Sequence, residues 1–195
     1  MLRVGIYGAS GYTGLELVRI LKRHPAMTIG FLTSENSAGQ TMADIFPVAW
    51  DDLLVSTEQA PLDQVDAVFL ALPHGASIPA VQHAYEAGVK VVDLSADFRL
   101  RDPQAYARWY KTAHTATDLL KAAVYGLPEL YRDEIRQTRL VANPGCYPQT
   151  IILGLYPLVR CGLLSEDYAI ADAKSGVSGA GRKATLTTHF VEAHD

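Results

Sequence analysis

The chain has 195 residues, of which 49% are hydrophobic and 19% charged, a composition typical of a globular protein and sufficient for one domain and part of a second. The net charge of −4 and the scattered lysines and arginines argue against a nucleic-acid-binding protein. No apolar run approaches the roughly 18 residues of a membrane span, and the N-terminus lacks the apolar core of a signal peptide.

The chain begins with a predicted strand, a glycine-rich turn and a helix. Residues 2–7 read as a short buried strand, and helical spacing of apolar residues follows from about residue 12 to residue 23. The glycines between them are spaced GxxGxxG, which lets a backbone approach a pyrophosphate resting on the helix N-terminus. A tight turn without a ligand is the alternative. The residues predicted to bind a dinucleotide are Gly8, Ser10, Gly11, Tyr12, Thr13 and Gly14.

The end of the second predicted strand, residues 27–33, bears on the choice of cofactor. An NAD-binding fold usually has an acidic residue there to bind the ribose hydroxyls. This chain has Thr33 and Ser34, whose hydroxyls suit a 2′-phosphate, followed by Glu35, which would repel one if it pointed inward. We therefore expect NADP(H) rather than NAD, with Thr33 and Ser34 among the cofactor-binding residues and Glu35 as a solvated loop charge.

Alternating strands and helices continue after a less regular stretch at 38–64, which has short β-like pieces. Residues 65–72, a continuous apolar run apart from Asp66, predict a strand, residues 76–87 a helix and residues 89–94 another strand. This alternation predicts an α/β fold with a doubly wound, Rossmann-like parallel sheet. Ligands bind at the carboxyl ends of such strands, so Pro73 and His74 are predicted neighbours of the nicotinamide. A local hydrogen bond within the turn is the alternative for His74.

Arg99 follows the strand at 89–94 and could bind a phosphate or carboxylate through its forked guanidinium. An ion pair with Asp97 or Asp102 is the alternative. Helical patterns are then predicted within 103–123 and over 129–137, and a strand over 139–142 leads to Asn143.

Cys146 follows a Pro-Gly turn and precedes a long apolar helix predicted over 147–161. A thiol at the first turn of a helix lies near unpaired N–H groups and the positive end of the helix dipole, which favour a nucleophilic thiolate. A small buried thiol is the alternative. Cys161 is expected to pack or to cap the helix. Two cysteines make no disulfide framework, so we expect a reducing, cytoplasmic location, and the six histidines show no metal-ligand spacing.

A further strand is predicted near residues 168–174, and a loop rich in small residues follows at 174–182. That loop could be a linker or backbone pressed against the cofactor. The predicted organisation is an NADP-binding domain over residues 1–146 and the incomplete beginning of a substrate and dimerisation domain over 147–195.

These motifs, taken in order, resemble those of the N-acetyl-γ-glutamyl-phosphate reductases, which belong to the aspartate-semialdehyde-dehydrogenase-like group. The matching segments span the whole chain: GASGYTGLEL (8–17), LTSENSAG (32–39), ALPHG (71–75), DLSADFRL (93–100), YGLPEL (125–130), ANPGCYP (142–148) and SGVSGAGR (175–182). The resemblance implies an NADPH-dependent reductase that converts N-acetyl-L-glutamyl 5-phosphate to the 5-semialdehyde for arginine biosynthesis, and that forms a homo-oligomer in its full length.

The resemblance also implies residue roles. The nucleophile falls on Cys146, further cofactor contacts on Ser175 and Gly176, and substrate contacts on Arg99 and Asn143. Such reductases are longer, and we expect their catalytic histidine beyond Asp195. His189 and His194 do not match that histidine-rich stretch and are not assigned as the base. Two alternatives remain open at this point, a sister acyl-phosphate reductase acting on aspartyl or aminoadipyl phosphate and a non-catalytic dinucleotide-binding module.

Overall fold

A computed structural model describes residues 1–164 and 168–188, and these residues divide into two compact units, Met1–Pro144 and the residues from Gly145 onward. His189 and His194 lie outside the described residues. Within the described residues, no helix is long and apolar enough to cross a membrane.

The first unit is built on one parallel sheet. Its strands are β1 (Leu2–Tyr7), β2 (Met27–Thr33), β3 (Leu54–Val55), β4 (Ala67–Leu70), β5 (Lys90–Asp93), β6 (Val124–Tyr125) and β7 (Leu140–Ala142), in the spatial order β3-β2-β1-β4-β5-β7-β6. Its helices are α1 (Tyr12–Leu21), α2 (Met42–Ile45), α3 (Ser77–Glu86), α4 (Pro103–Tyr110), α5 (Thr117–Ala122) and α6 (Pro128–Gln137). The predicted doubly wound α/β fold is confirmed.

Both faces of the sheet are covered, as a parallel sheet requires. Alternate residues of β1 belong to two different clusters, with Val4 and Ile6 in one and Tyr7 in the other. Val18 of α1 packs into the first cluster and Val81 of α3 into the second. The period-two alternation of the strand therefore distributes the core between two layers of helices.

The chain reverses its winding between β1 and β4, which are neighbours in the sheet although β2 and β3 separate them in sequence. Such a switch point opens a crevice at the carboxyl ends of the strands, where ligands of open α/β sheets bind. The loops that follow β1, β2, β4, β5 and β7 all begin at this edge because every pairing between these strands is parallel.

The second unit contains the long helix α7 (Cys146–Arg160) and two short 3₁₀ turns, Val177–Ala180 and Leu186–Thr188. The strand predicted near 168–174 is wrong, since residues 168–176 form no helix or strand. A strand requires a partner to satisfy its backbone groups. Tyr168 and Ile170 are more than four-fifths exposed, so this segment is not part of a packed sheet.

Candidate functional site

The glycine-rich loop joins β1 to α1, and two of its glycines are required by the packing. Gly8 has a φ of +77°, and a Cβ there would lie 2.4 Å from the carbonyl oxygen of Ala71. A Cβ at Gly14 would lie 2.5 Å from the Cα of Ala9. The loop therefore folds tightly against the end of β4 and against itself because these positions carry no side chain.

Gly11 differs from these two glycines. A Cβ at Gly11 would have just the carbonyl oxygen of Gly8 within 4 Å, at 3.6 Å, so its surroundings are open. Gly11 is the N-cap of α1, and no side chain caps the helix there. The amides of Tyr12, Thr13 and Gly14 have no hydrogen-bond acceptor among the described residues. Free amides beside open space at a helix N-terminus fit the pyrophosphate of a dinucleotide.

Thr33 and Ser34 support this loop from the end of β2. The Gly8 amide donates to the Thr33 hydroxyl over 3.3 Å, and the Ser10 and Ser34 hydroxyls are 2.7 Å apart. Both side chains are buried, with Thr33 1% and Ser34 4% exposed. Their hydroxyls thus hold the glycine loop in place, a role that the sequence did not predict.

Glu35 lies on the same strand end but turns to another partner. Its carboxylate accepts a hydrogen bond from the Thr57 amide over 2.9 Å. Hydrogen bonds from the side chain and the backbone of Thr57 lower the pKa of Glu35. The Glu35 charge is therefore exposed and held by Thr57, as expected for a solvated loop charge.

Pro73 and His74 lie in an exposed turn after β4. The His74 Nδ1 accepts a hydrogen bond from the Ala96 amide over 3.0 Å, and its ring centroid is 5.7 Å from that of Tyr110. The local hydrogen bond considered for His74 is wrong, because Ala96 belongs to the loop after β5. The turn is thereby fastened to the next loop along the sheet edge.

Two buried carboxylates strengthen this connection, and sequence reasoning missed both. Asp93 accepts hydrogen bonds from the hydroxyl of Ser77 on α3 and from the amide and hydroxyl of Ser95. Burial raises the pKa of Asp93, although these hydrogen bonds oppose the shift. Asp97 accepts from the Gly75 amide and is likewise fully buried. The available signal was the position of two aspartates directly at and after the end of an apolar strand.

Arg99 and Asn143 are brought together at the ends of β5 and β7. The Arg99 Nε donates to the carbonyl of Asn143 over 2.8 Å, and its Nη2 donates to the carbonyl of Leu94 over 2.9 Å. The ion pair considered with Asp97 or Asp102 is wrong, because no such pair occurs in the described part of the chain. Arg99 is partly exposed, and its Nη1 makes no hydrogen bond with any described residue, so the guanidinium keeps a donor for a ligand.

Cys146, in the second unit, is the first residue of α7. Gly145 is the N-cap, no side chain caps the helix, and the first turn has no acidic residue. The thiol is exposed, so the alternative of a buried packing cysteine is wrong. Cys161 caps the other end of the helix, with its amide donating to the carbonyl of Pro157. Of the two expected roles of Cys161, packing or capping, the structure shows the cap, and its exposed thiol does not pack.

Ser175 and Gly176 also lie in the second unit, and both are exposed. The Ser175 hydroxyl donates to the carbonyl of Gly176 over 3.0 Å, and Gly176 is the N-cap of the turn Val177–Ala180. Of the predicted site residues, the structure thus places the glycine loop, Thr33, Ser34, Pro73, His74, Arg99 and Asn143 in the first unit, and Cys146, Ser175 and Gly176 in the second.

Comparison with known proteins agrees with the glycine loop and the crevice. Residues 3–138 match the model of the semialdehyde dehydrogenase NAD-binding domain. The chain belongs to the semialdehyde dehydrogenase family. Residues 146–195 match the model of the dimerisation domain of semialdehyde dehydrogenase.

Relatives of this semialdehyde dehydrogenase chain include proteins named N-acetyl-γ-glutamyl-phosphate reductase. The protein of Janthinobacterium sp. (strain Marseille) is 50% identical over 198 residues, and that of Moorella thermoacetica is 48% identical over 199 residues. The alignments cover the whole chain but just 57% and 58% of those proteins, so the chain spans less than two thirds of their length. The resemblance predicted from the motifs is confirmed.

Solved structures support the fold of the family. The aspartate semialdehyde dehydrogenase II of Vibrio cholerae, in a complex with ASA, has a TM-score of 0.61 and 23% identity, with 82% of this chain and 47% of that chain covered. At this identity the likeness establishes the fold alone.

Proposed function

We propose that this chain is the cofactor-binding and nucleophile-bearing part of an N-acetyl-γ-glutamyl-phosphate reductase. The enzyme would reduce N-acetyl-L-glutamyl 5-phosphate to N-acetyl-L-glutamate 5-semialdehyde and phosphate, a step of arginine biosynthesis. The observation that carries the proposal is the exposed thiol of Cys146 at the first residue of α7, in a chain that is about half identical to proteins of that name.

Residues 1–146 would bind NADP(H). The free amides of Tyr12, Thr13 and Gly14 would bind the pyrophosphate, with Gly11 leaving room for its approach. Thr33 and Ser34, at the carboxyl end of β2, would lie at the 2′-phosphate. The exposed Glu35 carboxylate accepts from the Thr57 amide, so it is engaged with a donor other than the ribose hydroxyls that an acidic residue binds in NAD-binding folds. Pro73 and His74 would also contact the cofactor. Cofactor contacts are proposed for Ser175 and Gly176 as well.

Cys146 would act as the nucleophile. Its thiolate attacks the acyl carbon of the substrate, the bond to the phosphate oxygen breaks, phosphate leaves and a thioester remains on the sulfur. The amides of Cys146 and Tyr147 have no acceptor among the described residues and could stabilise the oxyanion that forms. Bound NADPH supplies the hydride that reduces an acyl group to the level of an aldehyde, and collapse of the sulfur adduct frees the thiolate.

Arg99 and Asn143 would bind the substrate. The free Nη1 of Arg99 is a cationic donor suited to the phosphate or carboxylate of an acidic acyl phosphate. Asn143 immediately precedes the turn that leads to Cys146 in sequence. Its Nδ2 donates to the carbonyl of Pro144 over 3.2 Å, which leaves its second N–H and its Oδ1 for the substrate.

Residues 147–195 would form the first part of a substrate and dimerisation domain, and the full-length enzyme would be a homo-oligomer. The apolar side chains that α7 exposes are of the kind that protein interfaces cover. The proposal is that a larger assembly buries them.

Acyl transfer to Cys146 tests the proposed function directly. The chain is mixed with N-acetyl-γ-glutamyl phosphate without NADPH, quenched in acid and mapped by peptide mass spectrometry. The expected result is an N-acetylglutamyl thioester on Cys146 in the wild type and in Cys161→Ser, and none in Cys146→Ser. Because Cys161 is an exposed thiol on the same helix, it reports non-specific acylation.

Two outcomes would contradict the proposal. Equal acylation of Cys146 and Cys161 would mean that the acyl phosphate reacts with any exposed thiol. Faster acylation by aspartyl phosphate or aminoadipyl phosphate would assign the chain to a sister reductase.

A further inference from the structure

Asp97 makes an unusual set of contacts for an aspartate in a loop. Its side chain is fully buried, with 0% exposed. The Gly75 amide donates to both carboxylate oxygens, over 3.0 and 2.8 Å, and the Tyr106 hydroxyl donates to Oδ1 over 2.7 Å. No lysine, arginine or histidine forms an ion pair with Asp97 in the described ranges. Its burial is thus offset by hydrogen bonds alone.

These donors explain why the residue is an aspartate. A carboxylate is an acceptor at both oxygens, and here both oxygens face N–H or O–H donors. An asparagine could keep its Oδ1 at the Gly75 amide, but its NH₂ would then face the Tyr106 hydroxyl, whose buried O–H would lose its acceptor. An alanine removes the acceptor from both donors, so Asp97→Ala is the change that releases the Gly75 amide.

The Gly75 amide belongs to the turn after β4, so Asp97 fastens that turn to the loop after β5. Two further bonds act in parallel, one from the Ala96 amide to His74 and one from the Ser77 hydroxyl to Asp93. The turn is therefore held at His74 and Gly75, and the helix that follows it is held at Ser77, although Pro73 to Gly75 are exposed. An exposed turn held by a buried network is pre-organised before any ligand arrives.

The sheet order indicates which part of a dinucleotide would meet this turn. The phosphate-binding loop follows β1, and the ribose-binding position follows β2 on one side of it. β4 and β5 lie on the other side of β1, beyond the switch point. If the adenosine half extends over β2, the nicotinamide half extends over the turn after β4.

We propose that Asp97 is a positioning residue that holds the turn Pro73–Gly75 in the conformation that receives the nicotinamide half of the cofactor. This inference rests on the proposed function, because it requires that the first unit bind NADP(H). It goes further because it gives a role to a buried acid that does not touch the ligand. That role is to keep the nicotinamide half of the cofactor site ordered.

Two ligands separate positioning from general stability in the 195-residue chain. NADPH carries the nicotinamide half, whereas adenosine 2′,5′-bisphosphate lacks it and should occupy the β1–β2 side alone. Asp97→Ala, which removes the acceptor of the Gly75 amide, is expected to weaken NADPH binding about tenfold in a calorimetric or fluorescence titration, and to leave the affinity for the bisphosphate within about twofold. Two controls, Tyr106→Phe and Asp102→Asn, are expected to bind both ligands within about twofold of the wild type.

The two controls isolate the hydrogen bond from the Gly75 amide to the Asp97 carboxylate. Tyr106→Phe removes one hydrogen bond of Asp97 but leaves both bonds from Gly75. Asp102→Asn changes an exposed acid nearby that caps α4 by accepting from the Gln104 amide, which asparagine can also do.

Hydrogen exchange gives a readout that needs no variant. The Gly75 amide is expected to exchange slowly in the ligand-free wild type, and NADPH should add little protection. In Asp97→Ala the same amide loses its acceptor and should exchange about tenfold faster or more, while amides of β1 are unchanged. Should Asp97→Ala fail to fold, the wild-type result decides, since fast exchange that NADPH alone slows would overturn the proposal.

The remaining outcomes are distinguishable. Wild type that binds neither ligand would overturn the proposed function and this inference with it. Wild type that binds both, with Asp97→Ala losing both equally or losing neither, would overturn the inference and leave the proposed function standing.

Discussion

The two units differ in how their residues are packed. In residues 1–144, both faces of a seven-stranded sheet are covered, and side chains such as Ile6 and Leu70 are fully buried. In the second unit, α7 has no buried residue, and it exposes apolar side chains at Tyr156, Leu158 and Val159. The first unit carries its own core, whereas the described residues of the second do not.

This difference separates two kinds of functional geometry. The cofactor loop depends on long-range packing, because Gly8 and Gly14 leave no space for a Cβ. The thiol of Cys146 depends on its own helix, because its surroundings come from the first turn of α7. Substitutions at tightly packed positions of the first unit, such as Gly8, should therefore change stability and cofactor binding together. Substitutions of Cys146 should change the reactivity of the site and leave stability unchanged.

The largest expected effect is the contrast between glycines of one loop. Gly8→Ala should destabilise the first unit by about 2 kcal/mol or more, because the new Cβ meets the Ala71 carbonyl at 2.4 Å and the backbone has a positive φ. Gly11→Ala should leave stability within about 0.5 kcal/mol, since its Cβ enters open space. Urea unfolding measures both variants, and equal losses would contradict the packing described for the loop.

The next effect compares two cysteines at opposite ends of one helix. Negative charge on sulfur is favoured at the N-terminus of α7 by the helix dipole and opposed at the C-terminus. Cys146 in the Cys161→Ser variant should therefore react with iodoacetamide about fivefold to tenfold faster than Cys161 in Cys146→Ser at neutral pH. Because both thiols are exposed, access does not account for such a ratio. Equal rates would remove the electrostatic basis for choosing Cys146.

A smaller effect is expected from His114 of the first unit. Burial lowers the pKa of His114, although the carboxylates of Asp97 and Asp93 oppose the shift. Its Nδ1 accepts from the Ala116 amide and must be unprotonated to do so. Because the pKa is lower in the folded state, the unfolded state binds the proton first as the pH falls below the unfolded value near 6.5. The folded state is therefore most stable above that pH and loses stability below it.

Urea unfolding at several pH values between about 7.5 and 5.5 checks this contribution. The contribution of His114 to the free energy of unfolding should fall toward the acid side by no more than about 1.4 kcal/mol per pH unit, the limit for one proton. The raised pKa of Asp93 acts in the opposite direction, so the contribution of His114 is the difference between the wild type and His114→Asn, which keeps an acceptor for Ala116. Relative to that variant, the wild type should lose stability toward pH 5.5, and a gain would contradict the sign.

The smallest effect is expected in the second unit. A Cβ at Gly154, within α7, would meet nothing within 4 Å, so Gly154→Ala should stabilise the helix by about 0.5–1 kcal/mol. Circular dichroism should register more helix in the variant at raised temperature. A destabilised variant would mean that this face of α7 is packed, which would remove the contrast between the two units.

The sequence predicted the elements of the first unit well because each has a strong local signal. Apolar alternation in β1, the glycine spacing before α1 and the continuous apolar run around β4 each specify one structure. It failed at 168–174, where residues of strand-like composition form no strand in the structure. Strand propensity without a partner strand does not determine a strand.

The candidate site was predictable where chemistry is local and not where it depends on distant contacts. The position of Cys146 at a helix start follows from a Pro-Gly turn and an apolar helix. One partner of Arg99, the Asn143 carbonyl, is 44 residues away, and the partner of His74, the Ala96 amide, is 22 residues away. No local pattern specifies such contacts. Asp97 was considered as an ion-pair partner of Arg99, whereas its actual partners are an amide and a tyrosine hydroxyl.

The most direct test is a fluorescence titration of NADPH into the wild-type chain and into Gly11→Ala, with the stability of both measured in parallel. The amides beside Gly11 are the proposed pyrophosphate site, and a methyl group there would stand in the way of the ligand without disturbing the fold. The wild type is predicted to bind NADPH, and Gly11→Ala to bind it about tenfold more weakly or worse with unchanged stability. Absence of binding by the wild type, or equal binding by Gly11→Ala, would contradict the account.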